Sequence, residues 1–363
     1  MAKKGKPGDS LSVMAKEIDA AFAKKKPATN SKKKFVSSSL GGGVVSKRMS
    51  DIPDACSNEW VSTGSMFINN VIGHPGIPIG HVVALIGQSG SGKTTQLVHF
   101  MREAQRKSYI TAYIDGEKKF DPARSRAMGL DNKKVLYYDQ VTLEQMFGLV
   151  LKFCHMSMLK KPEDRIPTLI CVDSHSSLLT GKEHAQDVAE LDRKKFIAES
   201  ASTSSLGLAR IKPLLWDAKI TVVLVCQPTQ NIGSPFNSDT YKSKRKIDHY
   251  SILRLKYSRI GKLDGAEGDP PIGSKVKVRL EDSRISPPLR ECVINCMNST
   301  GFDDSEALLD FCVDHGIVTV GGGWFRLAKD PDKPFRRKEF LVMYEANEEL
   351  RKEIESKMNG DKV

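Results

Sequence analysis

The sequence predicts an α/β fold with a mainly parallel central sheet and an antiparallel extension, and three observations carry that prediction. Apolar, β-branched runs alternate with helical stretches, a pattern typical of parallel strands covered by helices on both faces. A glycine-rich loop follows the first of these runs and leads into a helix. Nearer the carboxyl terminus, three closely spaced runs alternate apolar and polar residues, which indicates antiparallel strands added to the sheet.

The predicted parallel strands occupy residues 81–87, 109–116, 134–140, 167–174 and 220–227. The predicted helices between them occupy residues 93–107, 142–157 and 187–217. The antiparallel runs read "SILRLKYSRI", "SKVKVRLEDSR" and "LRECVINCM". We expect a core domain over residues 56–298, followed by a small α/β C-terminal subdomain over residues 299–363, where the pattern becomes helical again.

A basic, flexible arm is predicted over residues 1–55. Residues 1–48 hold twelve lysines and arginines against three acidic residues, so they carry nine of the twelve net positive charges. Between two basic clusters, one apolar stripe of a helix is predicted from spacings of three and four, at Leu11, Met14, Ile18 and Phe22. We expect this helix to dock on the core or on a neighbouring subunit. The basic clusters are either a solubilising tail or an arm that binds nucleic acid.

The composition argues against membrane and secreted proteins. No run of 18 or more apolar residues is present, so no membrane-spanning helix is predicted. No apolar segment follows the charged amino terminus, so no secretory signal is predicted. The seven cysteines, several of them inside apolar runs, are typical of reduced, buried thiols. We therefore expect a cytoplasmic protein.

The loop after the first predicted strand matches the phosphate-binding pattern G-x-x-x-x-G-K-[ST]. It consists of Gly87, Gln88, Ser89, Gly90, Ser91, Gly92, Lys93 and Thr94, with Thr95 next in the helix. The glycines let backbone N–H groups converge on phosphate, and the helix amino terminus adds a positive dipole end. Lys93 is expected to reach the β- and γ-phosphates, and the Thr94 hydroxyl to ligate Mg²⁺. The loop indicates nucleoside triphosphate binding, but not what the energy is used for.

Two carboxylates are candidates for the rest of the site. Asp173 ends an apolar run at a strand tip, where a carboxylate can hold the magnesium shell. The alternative for Asp173 is an ordinary strand-end cap. Glu117 lies just past another strand tip, where a carboxylate can orient the attacking water. Taken alone Glu117 is a weak signal, because acidic residues are common after strands.

Several segments, in order along the chain, resemble the RecA recombinase family. They read "STGSMFINNVIGHPGIPIGHVVALIGQSGSGKTTQ", "YIDGEKKFDPARSRAMGL", "LICVDSHSSL", "VVLVCQPTQNIG", "LRLKYSRIG" and "GFDDSEALLDFCVDHGIV". The resemblance covers about residues 56–327 and, more weakly, the terminal helix to residue 358. The segment "LEDSRISPP" is closer to phage recombinases of the UvsX type than to the bacterial enzymes. The resemblance implies a RecA-type P-loop ATPase core.

The resemblance also implies roles for individual residues. Glu117 is implied as the general base, and the P-loop together with Asp173 as the nucleotide and magnesium site. Asp121 is expected to lie near the adenine. Gln227, at the tip of "VVLVCQ", resembles the residue that senses the γ-phosphate and passes the signal to the DNA loop.

Two positions depart from the family's pattern. Where bacterial members have a tyrosine that stacks on adenine, this sequence has Arg124, whose guanidinium plane can also stack. Where they have two lysines that reach the neighbouring subunit's γ-phosphate, this sequence has Asp282 and Arg284. Arg284 alone is therefore expected to act as a catalytic cation across the subunit interface.

The segment "PTQNIGSPFNSDTYKSKRKIDHY" is expected to bind single-stranded DNA. Aromatic faces interleaved with positive charge suit single strands, because bases stack on the rings while cations follow the backbone. The residues assigned to DNA are Phe236, Tyr241, Lys242, Lys244, Arg245 and Lys246, together with Lys182 in the segment "TGKEHAQDVAELD". The alternative is a solvated loop with a buried phenylalanine.

These expectations combine into an ATP- and Mg²⁺-dependent homologous recombinase that forms helical filaments on single-stranded DNA and exchanges strands with homologous duplex DNA. Its implied partners are DNA, further copies of itself, and single-strand-binding and loader proteins. Its implied compartment is the cytoplasm of a bacterium or of a phage-infected host, at the nucleoid. The alternatives are a hexameric helicase-like motor, which would form closed rings, and a small-molecule kinase, which would phosphorylate an acceptor without DNA.

Overall fold

The computed structural model describes residues 59–185, 193–228, 240–265 and 269–360. Its strands are β1 (Trp60–Val61), β2 (Ile77–Pro78), β3 (Val82–Ile86), β4 (Ile110–Asp115), β5 (Val135–Asp139), β6 (Thr168–Asp173), β7 (Ile220–Cys226), β8 (Ser251–Leu263), β9 (Gly273–Ser283), β10 (Glu291–Met297), β11 (Gly301–Asp303), β12 (Val318–Gly321), β13 (Trp324–Leu327) and β14 (Asp330–Phe335). Its α-helices are α1 (Met66–Ile72), α2 (Lys93–Arg106), α3 (Pro122–Ala127), α4 (Leu143–Met158), α5 (Gly181–Ala185), α6 (Arg193–Leu215), α7 (Lys244–Tyr250), α8 (Ser305–Asp314), α9 (Phe340–Ala346) and α10 (Glu348–Gly360). The helix predicted in the basic arm, with its stripe from Leu11 to Phe22, and the predicted DNA residue Phe236 lie outside the described residues.

One central sheet has the strand order β11-β10-β9-β8-β3-β7-β6-β4-β5. From β8 to β5 the neighbouring strands pair in parallel. From β8 to β11 they pair antiparallel. The predicted parallel sheet with an antiparallel extension is therefore confirmed. Because β3, β4, β6 and β7 are parallel, their carboxyl ends meet at one edge of the sheet, where α/β proteins commonly bind ligands.

The parallel strands are apolar on both faces because helices cover both. Every residue of β3, β6 and β7 is buried. Helix α2 packs against β4, β6 and β7, and α4 packs against α6. Burial of each Val, Leu or Ile side chain contributes about 1.5–3 kcal/mol to the free energy of folding. The loops at the carboxyl ends of these strands therefore extend from a well-packed core.

Two helices near the sheet edge begin at side-chain caps. Helix α4 begins after Thr142, whose hydroxyl accepts a hydrogen bond from Gln145 N at 3.3 Å, while Gln145 Oε1 accepts one from Thr142 N at 2.8 Å. Helix α3 begins after Asp121, whose carboxylate accepts from Ala123 N at 2.8 Å. Such caps satisfy backbone N–H groups that have no partner within the helix.

The C-terminal residues form a second hydrophobic cluster. Strands β12, β13 and β14 make a separate antiparallel sheet. Helices α8, α9 and α10 contribute Leu309, Phe340 and Ile354 to a cluster that includes Phe335. The described residues contain no helix that is both long and apolar enough to cross a membrane.

Candidate nucleotide-binding site

The P-loop connects β3 to α2 at the carboxyl edge of the sheet. Gly90 and Gly92 adopt left-handed backbone conformations, with φ of 72° and 95°. A Cβ on Gly87 would lie 2.3 Å from the Tyr257 carbonyl oxygen, so this close approach also requires glycine. No side chain caps α2 at Gly92. The first N–H groups of this helix are therefore available to an anion.

A cavity of about 470 Å³ opens above the P-loop. Its charged lining residues are Lys93, Lys119, Arg124, Arg259 and Lys262 on the positive side and Asp115, Glu117 and Asp173 on the negative side. This size is within the range of small-molecule sites. The positive charge suits a polyphosphate, and the carboxylates provide for a metal ion and a base.

Lys93 points into the cavity from the first turn of α2. Its ammonium donates to the Gln88 carbonyl oxygen at 2.6 Å and to Ser91 Oγ at 3.4 Å. Burial lowers its pKa, and the nearby charges of Asp173 and Glu117 partly offset that effect. A phosphate group would stabilise the ammonium more strongly than these neutral oxygens, because charge-assisted hydrogen bonds are the stronger ones.

Thr94 and Asp173, the two residues predicted to hold Mg²⁺, lie within hydrogen-bonding distance of each other. Thr94 Oγ1 donates to Asp173 Oδ2 at 2.6 Å, and the Tyr113 hydroxyl donates to the same oxygen at 2.9 Å. Burial raises the pKa of Asp173 against the effect of these two hydrogen bonds. A hydroxyl and one carboxylate fit Mg²⁺, which takes oxygen ligands and usually keeps waters and substrate phosphates in its shell. Among the described residues there is no cluster of three or more His, Cys, Asp or Glu that would form an all-protein metal cage.

Glu117 lines the same cavity as the P-loop, and both of its carboxylate oxygens accept hydrogen bonds. Ser174 Oγ and Ser177 Oγ donate to Oε1 at 3.0 and 3.2 Å, and Gln227 Nε2 donates to the same oxygen. Lys119 Nζ donates to Oε2 at 3.0 Å. Burial disfavours the carboxylate, but the hydrogen bonds from Lys119 and the two serines outweigh burial and lower the Glu117 pKa. The side chain is therefore ionised, as a general base requires.

Asp115 shapes the loop that carries Glu117, and sequence reasoning did not single it out. Its carboxylate accepts from Glu117 N at 3.1 Å, from Lys119 N at 3.4 Å and from Phe120 N at 3.1 Å. The Tyr137 hydroxyl donates to it at 2.9 Å. An aspartate at a strand end followed by a turn is a recognisable signal for such local hydrogen bonding. No comparable sequence pattern points to Ser174 and Ser177, which also donate hydrogen bonds to Glu117.

Arg124 belongs to helix α3 and Asp121 caps its start, but of the two residues it is Arg124 that lines the cavity. The Arg124 guanidinium donates to the Asn298 carbonyl oxygen and to Thr95 Oγ1, both at 3.2 Å. Cys296 also lines the cavity. Asp121 serves as the cap of α3, and the backbone hydrogen bonds from Arg124 and Ala123 lower its pKa. Its carboxylate is therefore used by the backbone of its own helix.

Arg259 and Lys262 are two cations of the cavity that sequence reasoning missed. They stand at the end of β8, which runs past the P-loop. A guanidinium nitrogen of Arg259 lies 3.9 Å from the position that a Cβ on Gly90 would occupy. The run "RIGKL" carries no motif for phosphate binding, so only the pairing of β8 with β3 brings these charges to the loop.

Arg284 is remote from the cavity of its own chain. Its backbone N donates to the Ile252 carbonyl oxygen at 2.9 Å, and its side chain donates to the His249 carbonyl oxygen. Ile252 is at the start of β8, whereas the P-loop lies beside Tyr257 and Arg259, further along that strand. Asp282 forms an ion pair with Arg254 at 3.3 Å. Arg284 is therefore not among the residues that line the cavity of its own chain.

The residues predicted to bind DNA are in different environments. Tyr241 was expected to offer a stacking face, but its ring is buried, with its hydroxyl donating to Asp248. Lys242 donates to the Leu178 carbonyl oxygen at 2.6 Å. Lys244 lies over the Tyr241 ring, 5.0 Å from its centroid. This corrects the expectation for Tyr241, because ring burial in the core outweighs its place in a polar sequence.

The remaining cations are on the surface. Arg245 and Lys246 are exposed on α7. Lys182, on α5, forms an exposed ion pair with Glu199 at 2.9 Å. Exposed pairs of this kind contribute little and exchange readily, so all three cations are accessible to an anionic polymer.

A polar network joins the segment around Ser243, through helix α6, to the residues that follow β6. Ser243 Oγ donates to Ser204 Oγ at 2.9 Å, and Ser204 Oγ is 3.2 Å from His175 Nε2. His175 follows Asp173 by two residues. The nucleotide site and the segment around Ser243 are thus linked through buried side chains.

The chain was compared with known proteins. Residues 30–303 match the family model described as the RecA N-terminal domain. Protein RecA of Ureaplasma parvum serovar 3 is 27% identical over 266 residues, which is 73% of this chain and 75% of that protein. Protein RecA of Clostridium novyi is 27% identical over 301 residues, covering 81% and 82% of the two chains. Protein RecA of Heliobacterium modesticaldum is 28% identical over 305 residues, 83% of each chain.

Proposed function

The chain belongs to the RecA family, and on that premise we propose that it is an ATP-dependent recombinase. In this proposal it polymerises on single-stranded DNA, pairs that strand with homologous duplex DNA and exchanges strands. ATP and Mg²⁺ are its nucleotide and metal. The likeness of "LEDSRISPP" to phage recombinases of the UvsX type stays a prediction.

One observation carries the proposal. A phosphate-binding loop, a hydroxyl–carboxylate pair suited to Mg²⁺, and the ionised carboxylate of Glu117 line a single cavity. Gln227 joins Glu117 to the strand that leads into the predicted DNA segment. A nucleotide in this cavity would therefore contact the groups that a hydrolysis reaction needs, next to a route toward DNA.

The residues of this chain have distinct roles in the proposed hydrolysis. Lys93 and the N–H groups of the P-loop bind the β- and γ-phosphates. Thr94 and Asp173 would hold Mg²⁺, which supplies a Lewis acid when bound. Glu117 accepts a proton from the attacking water as the water oxygen bonds to the γ-phosphorus. The bond to the β-phosphate oxygen breaks, which leaves ADP and phosphate.

The proposed DNA surface consists of the segment before β8 and the segment around α5. Its cations are Lys244, Arg245 and Lys246, with Lys182 from the second segment, and Phe236 is proposed as a stacking ring. Lys242 is engaged with a backbone carbonyl and contributes less directly.

Self-association is proposed to complete the active site. A head-to-tail contact uses a different face on each partner, and it produces an open helix if the rotation does not close. Arg284 of one subunit would then reach the nucleotide of the next. We also propose that the helix within residues 1–55 docks on the neighbouring subunit, and that residues 56–298 and 299–363 are the core and the C-terminal subdomain.

Electron microscopy of the protein with single-stranded DNA and ATP tests the proposal. We expect open helical filaments, and ATP hydrolysis that depends on DNA. Closed hexameric rings that unwind duplex DNA would instead indicate a helicase-like motor. Phosphorylation of a small acceptor without DNA would indicate a kinase. Strand exchange between a circular single strand and homologous linear duplex separates a recombinase from a protein that only forms filaments.

A further inference from the structure

The two oxygens of the Glu117 carboxylate are held in different ways. Oε1 accepts from three neutral donors, Ser174, Ser177 and Gln227. Oε2 accepts from Lys119 Nζ at 3.0 Å. A general base needs an oxygen that is free to accept the proton of the attacking water. Oε2 accepts one hydrogen bond where Oε1 accepts three, so Oε2 is the oxygen better able to accept that proton. Its single donor among the described residues is Lys119.

Lys119 is exposed to solvent, whereas the other donors, Ser174, Ser177 and Gln227, are buried or half-buried. Its side chain is 74% exposed in this ion pair, while that of Glu117 is 15% exposed. Its backbone N is held by the Asp115 carboxylate at 3.4 Å, so the start of the side chain is fixed and its ammonium can swing. An exposed ion pair is weak and exchanges at little cost.

Lys119 also lines the cavity that would hold the nucleotide. Lys93, whose charge also acts on Glu117, is buried and donates to the Gln88 carbonyl oxygen. The neighbouring Lys118 lines a separate, smaller cavity. Of these three lysines, Lys119 combines contact with the base, exposure and access to the phosphates.

We propose that Lys119 is a positioning residue that covers Oε2 of Glu117 in the nucleotide-free site and moves to the γ-phosphate when ATP binds. The γ-phosphate carries more negative charge than one carboxylate and therefore competes for the ammonium. The γ-phosphate draws the ammonium from Oε2 in a fraction of the ATP-bound subunits, and only those subunits can hydrolyse ATP. Lys119→Met has no cation at this position, so it leaves Oε2 uncovered in all of them. ADP lacks this phosphate and leaves the base covered. This inference rests on the proposed function, because it takes Glu117 to be the general base.

The test compares Lys119→Met with Lys118→Met as the matched control and Lys119→Arg as the conservative variant. Four quantities are measured with saturating single-stranded DNA: the kcat for ATP, the KM for ATP, the affinity for ADP, and the affinity for a non-hydrolysable ATP analogue. For Lys119→Met we expect kcat to rise about two- to fivefold, and analogue binding to weaken by a similar factor, the range an exposed ion pair supports. ADP affinity should remain at the parent value, which also reports that the variant is folded.

Lys118→Met should match the parent in all four quantities, and Lys119→Arg should restore the parent kcat because it keeps a cation on Oε2. A kcat for Lys119→Met at or below that of the parent would overturn the proposal. So would equal weakening of ADP and analogue binding, because the lysine would then not select the γ-phosphate.

Glu117→Gln is assayed in parallel to separate this inference from the proposed function. If Glu117→Gln hydrolyses ATP at the parent rate, Glu117 is not the base and the two ideas fail together. If Glu117→Gln binds the analogue but does not hydrolyse ATP, while Lys119→Met behaves like the parent, the inference about Lys119 fails alone.

Discussion

Gln227 Nε2 donates a hydrogen bond to Glu117 Oε1, and this contact joins the end of β7 to the loop after β4 across the nucleotide cavity. The backbone N–H of Gln227 donates to Ser176 Oγ at 3.1 Å, which fixes the position of Gln227. The chain continues from Gln227 into the segment predicted to bind DNA. A movement of the Glu117 side chain, the proposed base, would therefore act through one hydrogen bond on Gln227, which directly precedes that segment.

This contact predicts that Gln227→Met uncouples DNA binding from hydrolysis. Methionine has a similar length but cannot donate to Glu117. We expect DNA stimulation of ATP hydrolysis to fall by about fivefold or more, the lower end of typical coupling between sites. The DNA-free rate should change less. The measurement is ATP hydrolysis with and without single-stranded DNA, and unchanged stimulation would show that the signal takes another route.

Glu117→Gln should lower ATP hydrolysis by about 10²–10⁴-fold, because general base catalysis is commonly worth that much. The amide keeps the shape of the side chain, so ATP binding and filament assembly should persist. Steady-state hydrolysis and nucleotide binding are both measured. The control is Glu349→Gln, at an exposed position in α10, which should hydrolyse ATP at the parent rate.

Arg284 is predicted to act on the nucleotide of a neighbouring subunit. Arg284→Ala should lower hydrolysis strongly, since arginines supplied in this way are worth about 10³–10⁵ in rate in other phosphoryl transfers. Mixed with Glu117→Gln on DNA, it should recover activity, because roughly a quarter of randomly formed interfaces contain both intact residues.

The matched control for the mixing experiment is the double variant Glu117→Gln/Arg284→Ala mixed with Glu117→Gln. No interface in that mixture contains an intact Glu117, so no activity should return. Absence of recovery in the test mixture, in filaments proven to contain both variants, would mean that Arg284 does not act across the interface.

The exposed cations of α7 are predicted to contact DNA phosphates. Arg245→Gln combined with Lys246→Gln should weaken single-strand binding and reduce the slope of log affinity against log salt by about 1.4, at about 0.7 per phosphate contact. Fluorescence anisotropy over a salt series measures this. The control pair is Lys160→Gln with Lys161→Gln, two exposed adjacent lysines before β6. An equal loss in both pairs would indicate general electrostatics rather than a DNA surface.

Buried histidines predict that the folded state is destabilised by acid. Burial and the nearby charges of Arg102 and Arg106 lower the pKa of His99 to about 3. Phe302 N also donates to His99 Nε2 at 3.1 Å, a bond that protonation would break. Since the folded pKa is below the unfolded value near 6.5, the stabilisation is present above that pH and is lost as pH falls toward 3.

Each such histidine should reduce the free energy of unfolding by up to ~1.4 kcal/mol per pH unit in this window. His175, whose pKa burial also lowers to about 3, adds to the same slope. Denaturant unfolding between pH 7 and pH 5 measures the slope. His99→Gln should reduce it, whereas His155→Gln, at an exposed position, should leave it unchanged. A slope insensitive to His99→Gln would contradict the assignment.

The sequence by itself determined the parts of the molecule that depend on contiguous residues. The P-loop is recognisable because its glycine conformations and the start of α2 lie within a few residues of each other. The parallel strands are recognisable because burial on both faces requires unbroken apolar runs. Asp173 could be named because it ends such a run, and Glu117, two residues past the end of β4, because the resemblance to the RecA family singled it out.

Only the tertiary structure decided which distant side chains meet at the site. Arg259 reaches the P-loop because β8 pairs with β3, and no local pattern encodes that neighbour. Ser174 and Gln227 converge on Glu117 because β4, β6 and β7 end at one edge of the sheet. Tyr241 is buried although its sequence surroundings are polar, because packing against the core decides exposure. Such contacts depend on strand order and on long-range packing, neither of which a short stretch of sequence carries.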